Sequence, residues 1–222
     1  MAKKVLQFVL IVCLCVGILG LNPQNIFAQQ NVKEVKKAQK DAKKIYKTKL
    51  QDFKKDGWQT ASTSKTIEME LTAYAEKREQ NPTLIEVIGE VNNCKSINVC
   101  KQTALNNAQN YYLQLVSGKI KGAFGSVIKS NANMPEEEID KTIGNLTKQC
   151  EADLSGSLIP CFSIVRERNG LKEYKTTFLA DPGKIVATME RSLKETKLTI
   201  EEIKTITKFV EDELNKEAEN QD

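Results

Sequence analysis

The later part of the chain contains four cysteines, and their spacing indicates which chemistry they could perform. Five residues separate Cys94 from Cys100, and ten separate Cys150 from Cys161. Zinc ribbons use shorter cysteine spacings, so this pattern does not favour a site with four thiolate ligands. A reactive thiolate would need a lysine or a helix end to lower its pKa, because the chain has no C-x-x-C motif. The pattern is more typical of structural disulfides.

The chain contains no histidine, which removes many common catalytic arrangements. A Ser/His/Asp triad, a Cys/His dyad and a histidine-bearing zinc site all require an imidazole. Carboxylate pairs such as Glu68 with Glu70, or Glu76 with Glu79, carry the groups used in glycoside hydrolysis. Charged residues at helical spacing are mostly solvated surface positions, however. We predict no catalytic residue, no metal site and no cofactor.

A run of lysines is the second group that could bind a partner. Ten lysines and four acidic residues lie between Val32 and Asp56, with apolar residues at helical spacing. The pattern predicts a basic amphipathic helix within residues 29–56. Lysines neutralise anionic groups with few geometric demands, so we expect contacts with a protein, an envelope polymer or an anionic membrane surface. The candidate residues are Lys36, Lys37, Lys40, Lys43, Lys44 and Lys47.

Nucleic acid is the least favoured of the anionic partners. The aromatic residues near the lysines are Tyr46, Phe53 and Trp58, and Phe53 belongs to the apolar stripe of the predicted helix. Proteins that bind single strands usually present aromatic side chains on which the bases stack. No such platform is evident here, so we expect no nucleic-acid partner.

The first 28 residues have the organisation of a signal peptide. Lys3 and Lys4 precede an apolar run over residues 5–21, and polar residues follow it. Ile26 and Ala28 then stand at the two positions that signal peptidase reads. We therefore predict cleavage after Ala28 and export to the periplasm or the cell surface.

Two alternatives for the N-terminal segment stay open. A retained membrane anchor needs about 20 apolar residues, and this run is slightly shorter. A lipoprotein needs a small residue immediately before the modified cysteine, but valine precedes Cys13 and leucine precedes Cys15.

Export to an oxidising compartment favours disulfides among the four remaining cysteines. Four cysteines allow three connectivities, and the sequence does not select one of them. We prefer the pairing of Cys94 with Cys100 and of Cys150 with Cys161, because it closes the shortest loops.

Helical spacing of apolar residues and capping signals predict several helices. Asp181 and Pro182 form an N-cap and first-turn pair. Thr199 and Glu202 have the spacing of a capping box, which opens the last helix. The other predicted helices cover residues 65–79, 101–130, 135–150 and 182–197.

Three segments have the pattern of β-strands. Residues 83–91 alternate between apolar and charged side chains, which predicts a half-buried strand with Glu86 on its polar side. Residues 158–167 and 172–180 flank Asn169-Gly170, a dipeptide that accepts positive φ at a two-residue hairpin turn. Pro160 places the first hairpin strand at an edge or a bulge.

These elements predict an α+β fold in which several helices pack on a small antiparallel sheet of three to four strands. Both terminal helices are predicted to be amphipathic. Because residues 201–222 carry eight acidic residues and three lysines, the acidic last helix could pair with the basic first one. The predicted divisions are a signal peptide (1–28), the basic helix (29–56), an α+β domain (57–198) and an acidic C-terminal helix and tail (199–222).

Four short motifs carry a family resemblance, and they are AQKDAKK (38–44), KKDGW (54–58), IEVIGE (85–90) and ALNNA (104–108). With these motifs the chain resembles uncharacterised exported proteins of Bacteroidales bacteria, and its strand, long helix and hairpin are more distantly similar to the membrane-associated lipoprotein family of Helicobacter. The resemblance covers most of residues 36–195 and implies a Gram-negative envelope protein with an α+β domain and no established catalytic residue.

These features predict an exported, non-enzymatic protein of a Gram-negative cell envelope that binds a protein or an envelope polymer. The expected contact surfaces are the helix over residues 36–55 and the sheet edge near Pro160. One alternative is a membrane-surface module that uses the basic helix. The other is an envelope enzyme whose site no sequence pattern reveals.

Overall fold

The computed structural model describes residues 46–127 and 135–221. The predicted signal peptide and its cleavage site lie outside the described residues. So do five of the six candidate lysines, which are Lys36, Lys37, Lys40, Lys43 and Lys44.

Six helices and four strands form within the described residues, which confirms the α+β class. The helices are α1 (residues 46–55), α2 (Ile67–Gln80), α3 (Ile97–Val127), α4 (Glu136–Ser157), α5 (Pro182–Leu193) and α6 (Ile200–Glu219). The strands are β1 (Gln59–Thr60), β2 (Ile85–Cys94), β3 (Leu158–Arg168) and β4 (Leu171–Ala180).

The four strands form one antiparallel sheet in the order β1-β3-β4-β2. Strands β3 and β4 are the predicted hairpin, and its turn residues Asn169 and Gly170 have φ values of 54° and 73°. Both values lie in the left-handed region that a two-residue turn of this kind requires. Strand β2 then pairs with the other side of β4, with Ile85 opposite Ala180.

Helices cover both faces of the sheet. On one face α3, α4, α5 and α6 bury a main core that includes Val87 of β2 and Phe178 of β4. On the other face α1 and α2 cover a second cluster built around Leu71, Phe162 and Leu179. Successive strand residues point to opposite faces, so β4 supplies Phe178 to the main core and Leu179 to the second cluster.

The acidic helix α6 belongs to the main core, and the pairing that charge suggested for the terminal helices does not form among the described residues. Ile206 and Leu214 of α6 are fully buried there. The described part of the basic helix, α1, packs on the opposite face of the sheet. Two acidic side chains of α6 instead form ion pairs with Lys119 of α3. Nζ of Lys119 lies 3.4 Å from Oε2 of Glu213 and 3.9 Å from Oε2 of Glu217.

The capping signals form as predicted, but two helices are longer than expected. Asp181 accepts a hydrogen bond from the N–H of Gly183, and Thr199 forms a complete capping box with Glu202. Helix α4 continues about two turns past Cys150, to Ser157, because Leu154 extends its buried stripe. Helix α3 begins at Ile97, ahead of the predicted start, because the residues that enter it are held by a disulfide described below.

Gly89 of β2 lies where α3 crosses the sheet. A Cβ atom at this position would lie 1.8 Å from the carbonyl oxygen of Ala104 and 3.1 Å from the Cβ of Ala108. The helix backbone therefore rests directly on the strand, and only glycine leaves room for it.

We expect Gly89→Ala to lower the free energy of unfolding by about 3 kcal/mol, because the helix must move away from the strand to admit the methyl group. Gly118→Ala on the same helix is the matched control. Gly118 has open space around it, so alanine there should raise stability by about 1 kcal/mol through helix propensity. Urea denaturation measures both changes. A wild-type midpoint for Gly89→Ala would show that α3 does not approach β2 this closely.

Candidate functional site

A cavity of about 700 Å³ opens at the edge of the sheet, where β3 extends beyond β1. The start of α3 forms one wall through Ile97, Lys101 and Leu105, and Glu70 of α2 lies in another. The floor is the β3–β4 hairpin, including Phe178. Its volume lies within the range of small-molecule sites, which is about 300–1,000 Å³.

The cavity exists because the chain leaves the sheet after β1. The N–H of Ala61 makes a last bond to the carbonyl of Ser163, at 2.8 Å. The N–H of Ser62 then donates to Oγ1 of Thr60, at 3.1 Å, which turns the chain away from β3. The neighbouring stretch of β3 is left without a strand beside it.

A bulge in β3 shapes the same edge. Pro160 has no N–H to offer a neighbouring strand, and the register with β4 shifts between Pro160 and Phe162. Cys161 is the extra residue, and its side chain lines the cavity while remaining partly exposed. The prediction that Pro160 marks an edge or a bulge is confirmed on both counts.

The predicted disulfide between Cys94 and Cys100 is formed and holds the cavity wall. It joins the end of β2 to the first turn of α3 across a Cα–Cα distance of 5.7 Å. The two cysteines pack with Ala104 and Tyr174 in a small buried cluster, and Tyr174 also lines the cavity. The disulfide therefore fixes the helix turn that presents Ile97 and Lys101.

The second predicted disulfide is wrong, because Cys150 and Cys161 are both free. Cys150 lies on α4 in the main core, whereas Cys161 packs against the second cluster on the other face of the sheet. Burial raises the pKa of each thiol to about 11, and the nearby Asp153 charge adds to the effect at Cys150. Both groups are therefore protonated at neutral pH, which does not favour a nucleophilic thiolate.

Glu70 is the buried carboxylate of the cavity, and only 9% of its surface is exposed. Its Oε2 accepts a hydrogen bond of 2.6 Å from the hydroxyl of Thr60. Glu68, the other member of the carboxylate pair considered from sequence, is turned outward and lies 2.8 Å from Nζ of Lys54. Residues two apart on a helix face different directions, so these carboxylates do not share a site.

A second polar cluster lies under α1, where it fastens the helix to the sheet. Nζ of Lys49 is 2.6 Å from Oε2 of Glu86, and the hydroxyl of Tyr74 donates a hydrogen bond to the same oxygen. Burial is the main cause of a raised Tyr74 pKa, and the Glu86 charge adds to it. The alternation in β2 is as predicted, but Glu86 is covered rather than solvated because helices pack on both faces.

Of the six lysines predicted to bind a partner, the structure describes Lys47, which is exposed on α1. Sequence reasoning did not find the cavity. One signal for it was available, since Glu70 stands in the buried stripe of α2, three residues after Ile67 and one before Leu71. A charged residue at a core-facing position often marks a polar contact that the fold must satisfy.

Two further observations apply to residues 46–127 and 135–221. No three cysteine, aspartate or glutamate side chains are grouped as ligands for a metal ion in this part. None of its helices combines the length and the apolar character needed to cross a bilayer.

No protein-family model, curated protein or solved structure matches this chain.

We expect Tyr74→Phe to lower the free energy of unfolding by about 1–2 kcal/mol, because it leaves the covered Glu86 carboxylate with one partner fewer. Tyr111→Phe is the matched control, since Tyr111 is 47% exposed. Urea denaturation should show no change for that variant. Equal midpoints for the two variants would contradict a role of Tyr74 in fastening α1 to the sheet.

The alkylation rate of Cys161 should rise about tenfold per pH unit from pH 7 to pH 10, because only the thiolate reacts and its pKa is about 11. An unperturbed thiol would level off above about pH 8.5. Peptide mass spectrometry after timed iodoacetamide treatment measures the rate separately at Cys161 and at the buried Cys150. A plateau near pH 8.5 at Cys161 in the folded protein would contradict its burial.

Proposed function

We propose that this chain is an exported, non-enzymatic binding protein of a Gram-negative cell envelope, which holds a protein or an envelope polymer. The observation that carries the proposal is the cavity between α2, α3 and the edge of β3. We further propose that the partner binds by inserting one of its chemical groups into this cavity.

The composition of the cavity wall supports binding. Apolar side chains such as Leu105 and Phe178 supply most of the lining, and a buried carboxylate supplies a fixed polar point. Ligand sites commonly combine a mainly apolar surface with a few placed polar groups, which orient the bound molecule.

The mouth of the cavity has apolar residues that contribute little to the fold. Ile97 lines the cavity and is 40% exposed, and Val99, in the same first turn of α3 but outside the lining, is 58% exposed. Exposed apolar side chains gathered at one place are typical of interaction surfaces. The sheet edge near Pro160, which the sequence indicated as a contact surface, borders the same mouth.

The disulfide supports both the proposed export of the protein and the proposed way in which it binds a partner. Structural disulfides are typical of oxidising compartments, in agreement with a signal peptide over residues 1–28. The bond between Cys94 and Cys100 also holds the first turn of α3 in place before a partner arrives. A wall that is already ordered loses less conformational freedom on binding, which favours affinity.

We expect a photo-crosslinking amino acid at Ile97 to capture a defined partner in intact cells, because this side chain stands at the cavity mouth. Ile200 is the matched control, since it is an isoleucine in the first turn of another helix and is 72% exposed. The adducts are compared by denaturing electrophoresis and identified by mass spectrometry.

Leu105→Trp, which fills the cavity, should remove the adduct formed at Ile97. In the same cells, the intact mass of the periplasmic protein should correspond to a chain that begins at Gln29 and holds one disulfide. The same adducts from Ile97 and Ile200, or capture that Leu105→Trp leaves unchanged, would contradict the proposed function.

A further inference from the structure

Glu70 has acceptor capacity that no described residue uses. A carboxylate can accept about four hydrogen bonds, but Glu70 receives one, from Thr60 to Oε2. Among the described residues no donor reaches Oε1, and no basic side chain lies within ion-pair distance of the group. Oε1 is not fully enclosed by the protein, so a donor that enters the cavity can bond to it.

The rest of the cavity offers surface for an apolar body. Leu105, Phe162 and Phe178 are apolar. The hydroxyl of Ser163 donates to Oγ1 of Thr176 at 3.0 Å, so this polar pair is already satisfied. A ligand that covers these groups gains from burial of its apolar surface and has one strong polar contact to make.

The lysines near the cavity do not neutralise Glu70. Lys101 is exposed on α3 at the mouth, where water and salt screen its charge. Nζ of Lys77 donates to the carbonyl of Pro160 at 3.4 Å. Glu70 is the one acidic residue of the cavity lining, so a cation that enters the cavity is attracted toward it.

We propose that the cavity binds a primary ammonium group carried on an apolar body. The ammonium donates hydrogen bonds to Glu70, and the body packs against Leu105 and Phe178 of the cavity lining. The inference rests on the proposed function, since the cavity is where the partner inserts a group, and it assigns the chemistry of that group.

Cys161 provides a reporter at the cavity of the native protein, because it is one of the lining residues and is partly exposed. A molecule that fills the cavity should slow alkylation of Cys161 by iodoacetamide. The probes are phenethylamine, 2-phenylethanol and 3-phenylpropionate, which share an aromatic body but carry a cationic, neutral or anionic head. Glucosamine carries the ammonium on a polar body and separates the two parts of the proposal.

We expect phenethylamine to protect Cys161 at concentrations at least about tenfold lower than the alcohol or the carboxylate, and glucosamine to give no protection. Glu70→Gln should remove the preference for the amine. The amide oxygen of this variant can still accept the Thr60 hydrogen bond, so the fold should persist, as circular dichroism would show. Glu68→Gln is the matched control, with the same charge change two residues away on the same helix, and should leave the preference intact.

Leu105→Trp fills the cavity without altering Glu70 and should abolish protection by every probe. Equal protection by the amine and the alcohol, or stronger protection by the carboxylate, would overturn the assignment of an ammonium group. So would an amine preference that survives Glu70→Gln. In each of these cases the capture of a partner from Ile97 still decides the proposed function, because that experiment does not depend on the head group.

Discussion

The close approach of α3 to β2 at Gly89 is the constraint on which the rest of the structure depends. The helix backbone at Ala104 occupies the space that a side chain on the strand would need. From this crossing the helix runs back toward Cys100, which reaches Cys94 at the end of the same strand. The long helix is thus held to β2 at two points, and its direction over the sheet is fixed. One end of it becomes the cavity wall, and the remainder forms the centre of the main core.

The cavity follows from a mismatch between strand lengths. Strand β1 has two residues, whereas β3 has eleven, so most of the outer edge of β3 lacks a neighbouring strand. A longer β1 would bury this edge and occupy the space between α2 and α3. The hydroxyl of Thr60 takes part in both the chain turn and the cavity. It accepts a hydrogen bond from the N–H of Ser62, which turns the chain, and it donates one to the carboxylate of Glu70. The turn that opens the cavity therefore also holds its polar group in place.

Local signals predicted much of this fold, and contacts between distant elements decided the rest. The hairpin turn at Asn169-Gly170 and the capping box at Thr199 depend on residues that are close in sequence, so both could be predicted. Loop length led to the wrong prediction that Cys150 pairs with Cys161. The sheet separates the two thiols, and loop length contains no information about that. Charge likewise suggested that the terminal helices could pair, although apolar burial places the last helix and the described part of the basic helix on opposite faces of the sheet. The cavity depends on where α2, α3 and β3 meet, which no local pattern contains.

Both edges of the sheet are protected against strand addition, which bears on how a partner can bind. On β2 the side-chain amide of Gln221 bonds the backbone N–H and carbonyl of Glu86, at 2.6 and 3.1 Å, as a neighbouring strand would. Asn107 covers the carbonyl of Glu90 at 2.8 Å. On β3, Pro160 and the bulge interrupt the row of donors that a new strand requires. A partner at this edge must therefore recognise side chains rather than the backbone ladder, and the side chains offered there are those of the cavity.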